Sequence, residues 1–284
     1  MVKLIKSTHE LIAVRTQEKG STGFVPTMGN LHAGHISLLE RALADNDVVY
    51  FSIFVNPKQF GPTEDFKEYP RTLERDLQLI QTCLDKFTGK NIVVFAPENP
   101  QEVFPSNDDQ TVAVTNFNNI IEGKLRPNHF DGVSTVVFKL FQIVKPHKAY
   151  FGLKDYQQYL VIRQMVKDLA MPIEIIGMPI IREPKGLALS SRNQYLSENQ
   201  KEEALVLSRS LTKIAQTIAG KKANLLRAKK EIESILTDTR WNYLEIRDAY
   251  TLSEDLTNSS RITLVAVFQL GQTRLLDNMQ QEIE

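Results

Sequence analysis

The sequence predicts an α/β protein: a Rossmann-like parallel sheet in an N-terminal domain, residues 1–180, and a smaller α+β C-terminal domain, residues 181–284. Three observations predict it. Short apolar runs alternate with helix-patterned segments through the first domain, which implies a parallel sheet with helices on both sides. One run, Val48–Val55 (VVYFSIFV), is apolar almost throughout, as a strand covered on both faces must be. Beyond residue 180 the order changes to helices and then strands, the order of an α+β unit.

The expected strands of the first domain are Gly23–Pro26, Val48–Val55, Ile92–Phe95, Val112–Thr115, Lys148–Phe151 and Ile173–Gly177. Between them, Ile36, Leu39 and Leu43 space one apolar helix face by three and four. Leu73, Leu77, Ile80 and Leu84 mark another, and Val133–Val144 and Gln158–Leu169 two more. A loop, Arg182–Tyr195, leads into Ser197, which with Gln200 fits a capping box. The helix that follows has Ala204, Leu207, Leu211, Ile214 and Ile218 on one face. Lys222–Leu236 reads as a second helix, followed by strands Tyr243–Tyr250, Ile262–Leu270 and Arg274–Asp277. Parallel sheets of this kind bind ligands at the carboxyl ends of their strands.

Composition narrows the function. The 284 residues carry 34 Lys+Arg and 34 Asp+Glu, a formal charge of zero, which argues against sequence-independent nucleic-acid binding. The single cysteine, Cys83, excludes an intrachain disulfide and a cysteine-based zinc site, and fits a small buried apolar residue on a helix. No run approaches the ~18–20 apolar residues of a membrane span. Met1–Glu10 lacks the apolar core of a signal peptide, so a soluble, cytoplasmic protein is expected.

The strongest chemical signal is Thr22–His35, TGFVPTMGNLHAGH. A strand and a Gly-containing turn lead into a helix that opens with His32 and His35, three apart and on one face. Gly34 between them would let a ligand approach the backbone. Free N–H groups at the helix start favour an anion, and the imidazoles add donors for charge that develops on a phosphate. His9, His129 and His147 are scattered without ligand spacing, so zinc is not expected.

Five weaker segments each have an ordinary reading beside a chemical one. Ser190, Ser191 and Arg192 offer hydroxyls and a guanidinium fork suited to a polyphosphate, or form a plain loop. After the strand ending at Phe151, Lys154 is a movable cation and Asp155 an acceptor for ribose hydroxyls, or the segment is a solvated strand-end loop with a helix start. Asn56 and Gln59 place uncharged polar groups at a strand's carboxyl end, or belong to a Pro-Gly turn. Asp76 on a helix could help hold magnesium, or pair with Arg75 or Arg71. Glu122 and Arg126 are four apart, so a helical salt bridge competes with a place in the site.

Taken together and in order, PTMGNLHAGH, FVNPKQFGPTEDFKEYPR, EGKLRPNHFDGV, YFGLKDYQQ and GLALSSRN resemble the pantothenate synthetase (pantoate–beta-alanine ligase) family of the His-x-Gly-His nucleotidyltransferase superfamily. The late RLLDN extends the resemblance into the C-terminal domain; Lys58 is a mild departure, where an apolar residue is expected. The resemblance implies ATP-dependent condensation of pantoate with beta-alanine through a pantoyl adenylate, giving pantothenate, AMP and pyrophosphate, with ATP and magnesium required and a homodimer as the assembly. It implies an ATP site of Met28, Gly29, Asn30, Leu31, His32, Ala33, Gly34, His35, Gly152, Leu153, Lys154, Asp155, Ile181, Leu189, Ser190, Ser191 and Arg192. His35 would be the proton donor, with His32, Lys154 and Arg192 the other catalytic groups. Gln59 would bind pantoate and beta-alanine and Gln158 pantoate; Asn56, Glu122 and Arg126 are weaker substrate candidates, and Asp76 would hold magnesium. The C-terminal domain would act as a lid that keeps water from the adenylate. A cytidylyltransferase, an aminoacyl-tRNA synthetase and a catalytically silent nucleotide-binding protein remain as alternatives, the last disfavoured by the intact cationic and histidine set.

Overall fold

The computed structural model describes residues 1–62, 64–106 and 110–284; Thr63 of the second motif lies outside them. They form two compact units, Met1–Leu153 with Gln157–Pro179, and Lys154–Tyr156 with Ile180–Glu284.

The first unit holds β1 (Val2–Ile5), β2 (Thr22–Thr27), β3 (Val48–Ile53), β4 (Asn91–Phe95), β5 (Lys148–Gly152) and β6 (Glu174–Met178) in one sheet of order β1-β4-β3-β2-β5-β6. Every pairing is parallel. The chain steps from β2 out through β3 to β4, then returns to β5 on the other side of β2. The order therefore reverses at β2, and the carboxyl end of the strand at such a reversal is where α/β sheets open a crevice. The helices of this half are α1 (Thr8–Gln17), α2 (Ala33–Asp45), α3 (Leu73–Leu84), α4 (Thr115–Asn118), α5 (Glu122–Leu125), α6 (His129–Val144) and α7 (Tyr156–Asp168).

Burial follows the apolar pattern. Leu39 and Leu43 of α2 and Ile80 and Leu84 of α3 pack with Val25, Val49, Phe51, Ile92 and Val94 of the sheet. On the other face Phe24 meets Phe141 of α6 edge-on, ring centres 6.1 Å apart. Removing one such fully buried ring, Phe51→Ala for instance, costs about 3–5 kcal/mol in transfer and cavity terms. Cys83 is buried on α3 as expected, and burial pushes its thiol up to about 11.

Two segments differ from expectation. Val112–Thr115 forms no strand: the Val112 N–H donates to Thr135 Oγ1 at 2.9 Å, and its carbonyl accepts from the Ser134 hydroxyl. Side chains of α6 thus satisfy the backbone that a ladder would otherwise take. Conversely, β1 and α1 carry almost no periodic signal, because only Ile5 of β1 and only Leu11 of α1 are buried.

The second unit is α8 (Glu198–Ile218), α9 (Leu225–Ile235) and an antiparallel sheet β7-β8-β9 of Trp241–Asp248, Arg261–Leu270 and Thr273–Glu282. The capping box forms: the Gln200 N–H donates to Ser197 Oγ at 3.3 Å and the Ser197 N–H to Gln200 Oε1 at 2.9 Å. Leu207, Leu211, Ile214 and Ile218 share a core with Ile262, Leu264, Ala266 and Phe268. β9 runs past Asp277 to Glu282, since its polar end still pairs in full with β8. The architecture is the expected parallel α/β sheet plus a smaller α+β unit. Among the described residues no helix is long and apolar enough to cross a membrane.

Candidate active site

The turn after β2 is set by backbone geometry. Gly29 and Asn30 take positive φ, 83° and 49°, which glycine adopts freely and asparagine tolerates. His32 then caps α2. Its Nδ1 accepts the Gly34 N–H at 3.1 Å, while Nδ1 of His35 accepts the His32 N–H at 3.3 Å. The two imidazoles fill the two roles of a capping box, their ring centres 4.1 Å apart. With Nδ1 accepting, the proton of each neutral ring sits on Nε2, on the far side from the helix. Gly34 also makes room for the cap, since a Cβ there would stand 2.9 Å from the His32 ring.

Asp76, the residue expected to hold magnesium, has its carboxylate tied to the turn after β2. It is wholly buried, and its carboxylate accepts from the Asn30 N–H (2.9 Å), the Leu31 N–H (2.9 Å) and Thr72 Oγ1 (3.2 Å). Burial raises it above the usual carboxylate range despite these donors. Its work is to hold the turn that presents His32. Among the described residues no group of three or more His, Cys, Asp or Glu side chains is placed to hold a metal.

Gln59 lies in a short 3-10 turn, Pro57–Gln59, beyond β3. Its Nε2 faces Met28 Sδ at 3.1 Å, which joins this segment to the turn after β2. Asn56 is buried, and both ends of its amide are used: Nδ2 donates to Gln59 Oε1 (3.0 Å) and the Gly132 carbonyl (3.1 Å), and Oδ1 accepts the Lys58 N–H (3.1 Å). Asn56 therefore orients Gln59. Lys58, the departure from the family pattern, lays its ammonium 4.5 Å over the Phe104 ring.

Arg126 meets Glu64 in a two-pronged pair, 2.7 and 2.6 Å, while Glu122 stands off at 4.0 Å. The helical pair expected from sequence is thus the weaker one. Arg126 Nη1 also lies 3.0 Å from His129 Nε2, and His129 Nδ1 lies 2.8 Å from the Gln59 carbonyl. Of the two adjacent glutamines, Gln157 is buried and structural: it donates to the Phe117 and Ile120 carbonyls at 2.8 and 2.9 Å and accepts the Glu122 N–H at 3.1 Å. Ile121 in this turn has φ 48°, a strained value for a β-branched residue. Gln158 is half-exposed.

In the second unit Ile181 and Leu189 are brought together, the Leu189 N–H donating to the Ile181 carbonyl at 2.9 Å. The hairpin between them turns at Gly186, φ 105°. Ser190 caps the following 3-10 turn, its Oγ accepting the Arg192 N–H at 3.2 Å. Lys154 Nζ lies 3.3 Å from Asp155 Oδ1. The structure thus groups Met28–His35 with Gln59 in one unit, and Ile181 with Leu189 in the other. Asp76, Asn56 and Arg126 support their neighbours. Sequence reasoning missed Glu64 and His129; both stand inside motifs quoted above, but nothing local shows what they face.

A parallel sheet whose order reverses at β2, with a histidine-capped helix start at that point, defines an α/β protein of the nucleotide-binding class. The sequence profile described as Pantoate-beta-alanine ligase matches residues 1–280. The chain is 44% identical over 287 residues to the pantothenate synthetase of Moorella thermoacetica, covering 100% of this chain and 99% of that one. It is 42% identical over 283 residues to that of Thermosipho africanus, covering 98% and 99%. Among solved structures, the Thermus thermophilus enzyme superposes with a TM-score of 0.87 at 42% identity, covering 98% and 99%. The Francisella tularensis ligase, complexed with beta-gamma ATP and beta-alanine, gives 0.74 at 35% identity, covering 98% and 97%. The chain belongs to the pantoate–beta-alanine ligase family, and its activity is the ATP-dependent joining of pantoate to beta-alanine.

Proposed function

We propose that the joining runs in two steps. A pantoate carboxylate oxygen attacks the α-phosphorus of ATP, a P–O bond forms, and pyrophosphate leaves. The beta-alanine amine then attacks the acyl carbon of the adenylate, loses a proton, and displaces AMP. No covalent bond to the protein is needed, so catalysis is positioning and charge stabilisation.

The observation that carries this reading is the double histidine cap at the start of α2. It fixes both rings against the backbone and commits their Nε2 atoms as donors, with His35 as proton donor and His32 a phosphate contact. Lys154 and Arg192 supply positive charge toward the departing pyrophosphate. Met28–Gly34, Gly152, Leu153, Asp155, Ile181 and Leu189–Ser191 complete the nucleotide contacts, and the half-exposed Gln158 and the oriented Gln59 read pantoate, Gln59 also beta-alanine. Magnesium arrives with the nucleotide and, when bound, offsets phosphate charge. The reading includes residues 181–284 as a lid domain, a homodimer and a cytoplasmic setting, which the family resemblance supports.

The test is pyrophosphate release from Mg-ATP with pantoate, first without and then with beta-alanine. Release that needs pantoate alone, then sustained turnover to AMP on adding the amine, is expected. No release until beta-alanine is present would overturn the adenylate course.

A further inference from the structure

Asp277 and Asn278 are consecutive on β9, so their side chains leave opposite faces of the strand. Both are buried, 1% and 2% exposed. Buried polar groups are costly without partners, and the partners here are informative. Asp277 accepts Arg182 through both prongs, 2.6 and 2.8 Å, at the base of the hairpin that joins Ile181 to Leu189. Asn278 Nδ2 donates to the backbone carbonyl of Lys154 at 2.6 Å. One dipeptide thus grips the two segments of this unit to which nucleotide contacts are assigned.

The Asn278 amide is oriented as well as buried. Gln280 Nε2 donates to Asn278 Oδ1 at 2.6 Å, so a flipped amide would set donor against donor there and oxygen against oxygen at Lys154. The far end of the segment is tied too, the Tyr156 hydroxyl donating to the Ala249 carbonyl at 2.7 Å. Lys154 to Tyr156 is therefore held at both ends by the second unit, although it follows β5 directly in the chain.

We propose that Asn278 is a positioning residue for Lys154: by fixing the lysine's peptide plane it sets where the ammonium reaches. A lysine stem is flexible, so fixing its backbone narrows the volume within which the ammonium can lie. The proposal rests on the assignment of Lys154 to the ATP phosphates.

The experiment is a double-mutant cycle on the full chain, read as pantoate-dependent pyrophosphate release at varied ATP. Asn278→Ala and Asn278→Asp, the latter turning an oxygen toward the carbonyl, should each lower kcat/KM for ATP by about tenfold or more, while KM for beta-alanine stays within about twofold. In a Lys154→Ala background neither should cause further loss beyond about twofold. Equal losses in both backgrounds, or unchanged kinetics in folded Asn278→Asp, would overturn the positioning role. Should those variants fail to fold, Gln280→Leu removes the orienting bond, together with a long 3.4 Å bond to Thr263 Oγ1, and should shift kcat/KM for ATP in the same direction; no shift counts against the proposal. A Lys154→Ala protein with normal kcat/KM for ATP would instead sink the lysine assignment, and the proposal with it.

Discussion

His129 donates from Nδ1 to the carbonyl of Gln59, 2.8 Å away, while its Nε2 accepts from Arg126 at 3.0 Å. The direction is fixed because a guanidinium only donates. His129 is therefore neutral, and burial, then the Arg126 charge, push it down to about 4. In the unfolded chain it titrates near the ordinary 6.5. Between those values the unfolded state holds a proton that the folded state refuses. Stability is thus full above about pH 6.5 and falls as pH drops toward 4, by about 3 kcal/mol in all. His129→Asn keeps a donor toward Gln59 and cannot titrate. Urea unfolding midpoints from pH 7 to 4 should fall less steeply in this variant; equal slopes would refute the account.

Asp76→Ala should cost about 1–3 kcal/mol of stability, because it strands the N–H groups of Asn30 and Leu31 in a buried place. Turnover should drop as the His32 turn loosens. The magnesium concentration giving half-maximal residual activity should stay where it is. A rise of about tenfold or more would make Asp76 a metal ligand after all.

His35→Ala removes both a proton donor and a helix cap, so it mixes two effects. His35→Gln separates them, since glutamine at this helix position also accepts the N-cap N–H. Turnover should fall at least ~10²-fold with thermal stability nearly unchanged, the loss expected for one transition-state donor. Near-normal turnover in the glutamine variant would remove His35 from the chemistry.

Gly132→Ala should be severe. A Cβ there would stand 2.1 Å from the Lys58 carbonyl oxygen and 2.7 Å from the Gln59 nitrogen, backbone atoms that cannot swing aside. A stability loss of about 2 kcal/mol or more and a raised KM for pantoate are expected. Gly152→Ala is the control for stability: nothing lies within 4 Å of its Cβ, and the melting temperature should not move. Similar melting temperatures for the two variants would contradict this packing.

What the sequence made legible was local. The His32–His35 pair, the capping box at Ser197 and the apolar faces of α2, α3 and α8 are patterns within one element, and each formed. What stayed hidden depends on distant partners. Asp76 reads as an ordinary helix acid until Asn30 and Leu31, some 46 and 45 residues away, arrive as donors. Arg126 has Glu122 four residues off, yet chooses Glu64, 62 residues away, because the fork fits there. The sheet order was equally hidden, since an apolar strand does not name its neighbour. Val112 shows the reverse error: a β-branched run pairs with side-chain hydroxyls when a helix offers them first.

β1 finds its sheet partner only in β4, Val2 opposite Ile92 and Ile5 opposite Phe95. It leaves the ribosome before the rest of the sheet, yet has nowhere to dock until β4 is made. At usual elongation speeds the wait is roughly 5–20 s, during which β2 and β3 emerge and can pair with each other. An orphan strand invites wrong partners, and this one carries exposed Lys3 within it and Lys6 at its end, charges that discourage pairing with another chain. The edge of the finished sheet thus closes only once the strands beside it have been made, and its sequence is written for that interval as much as for the final fold.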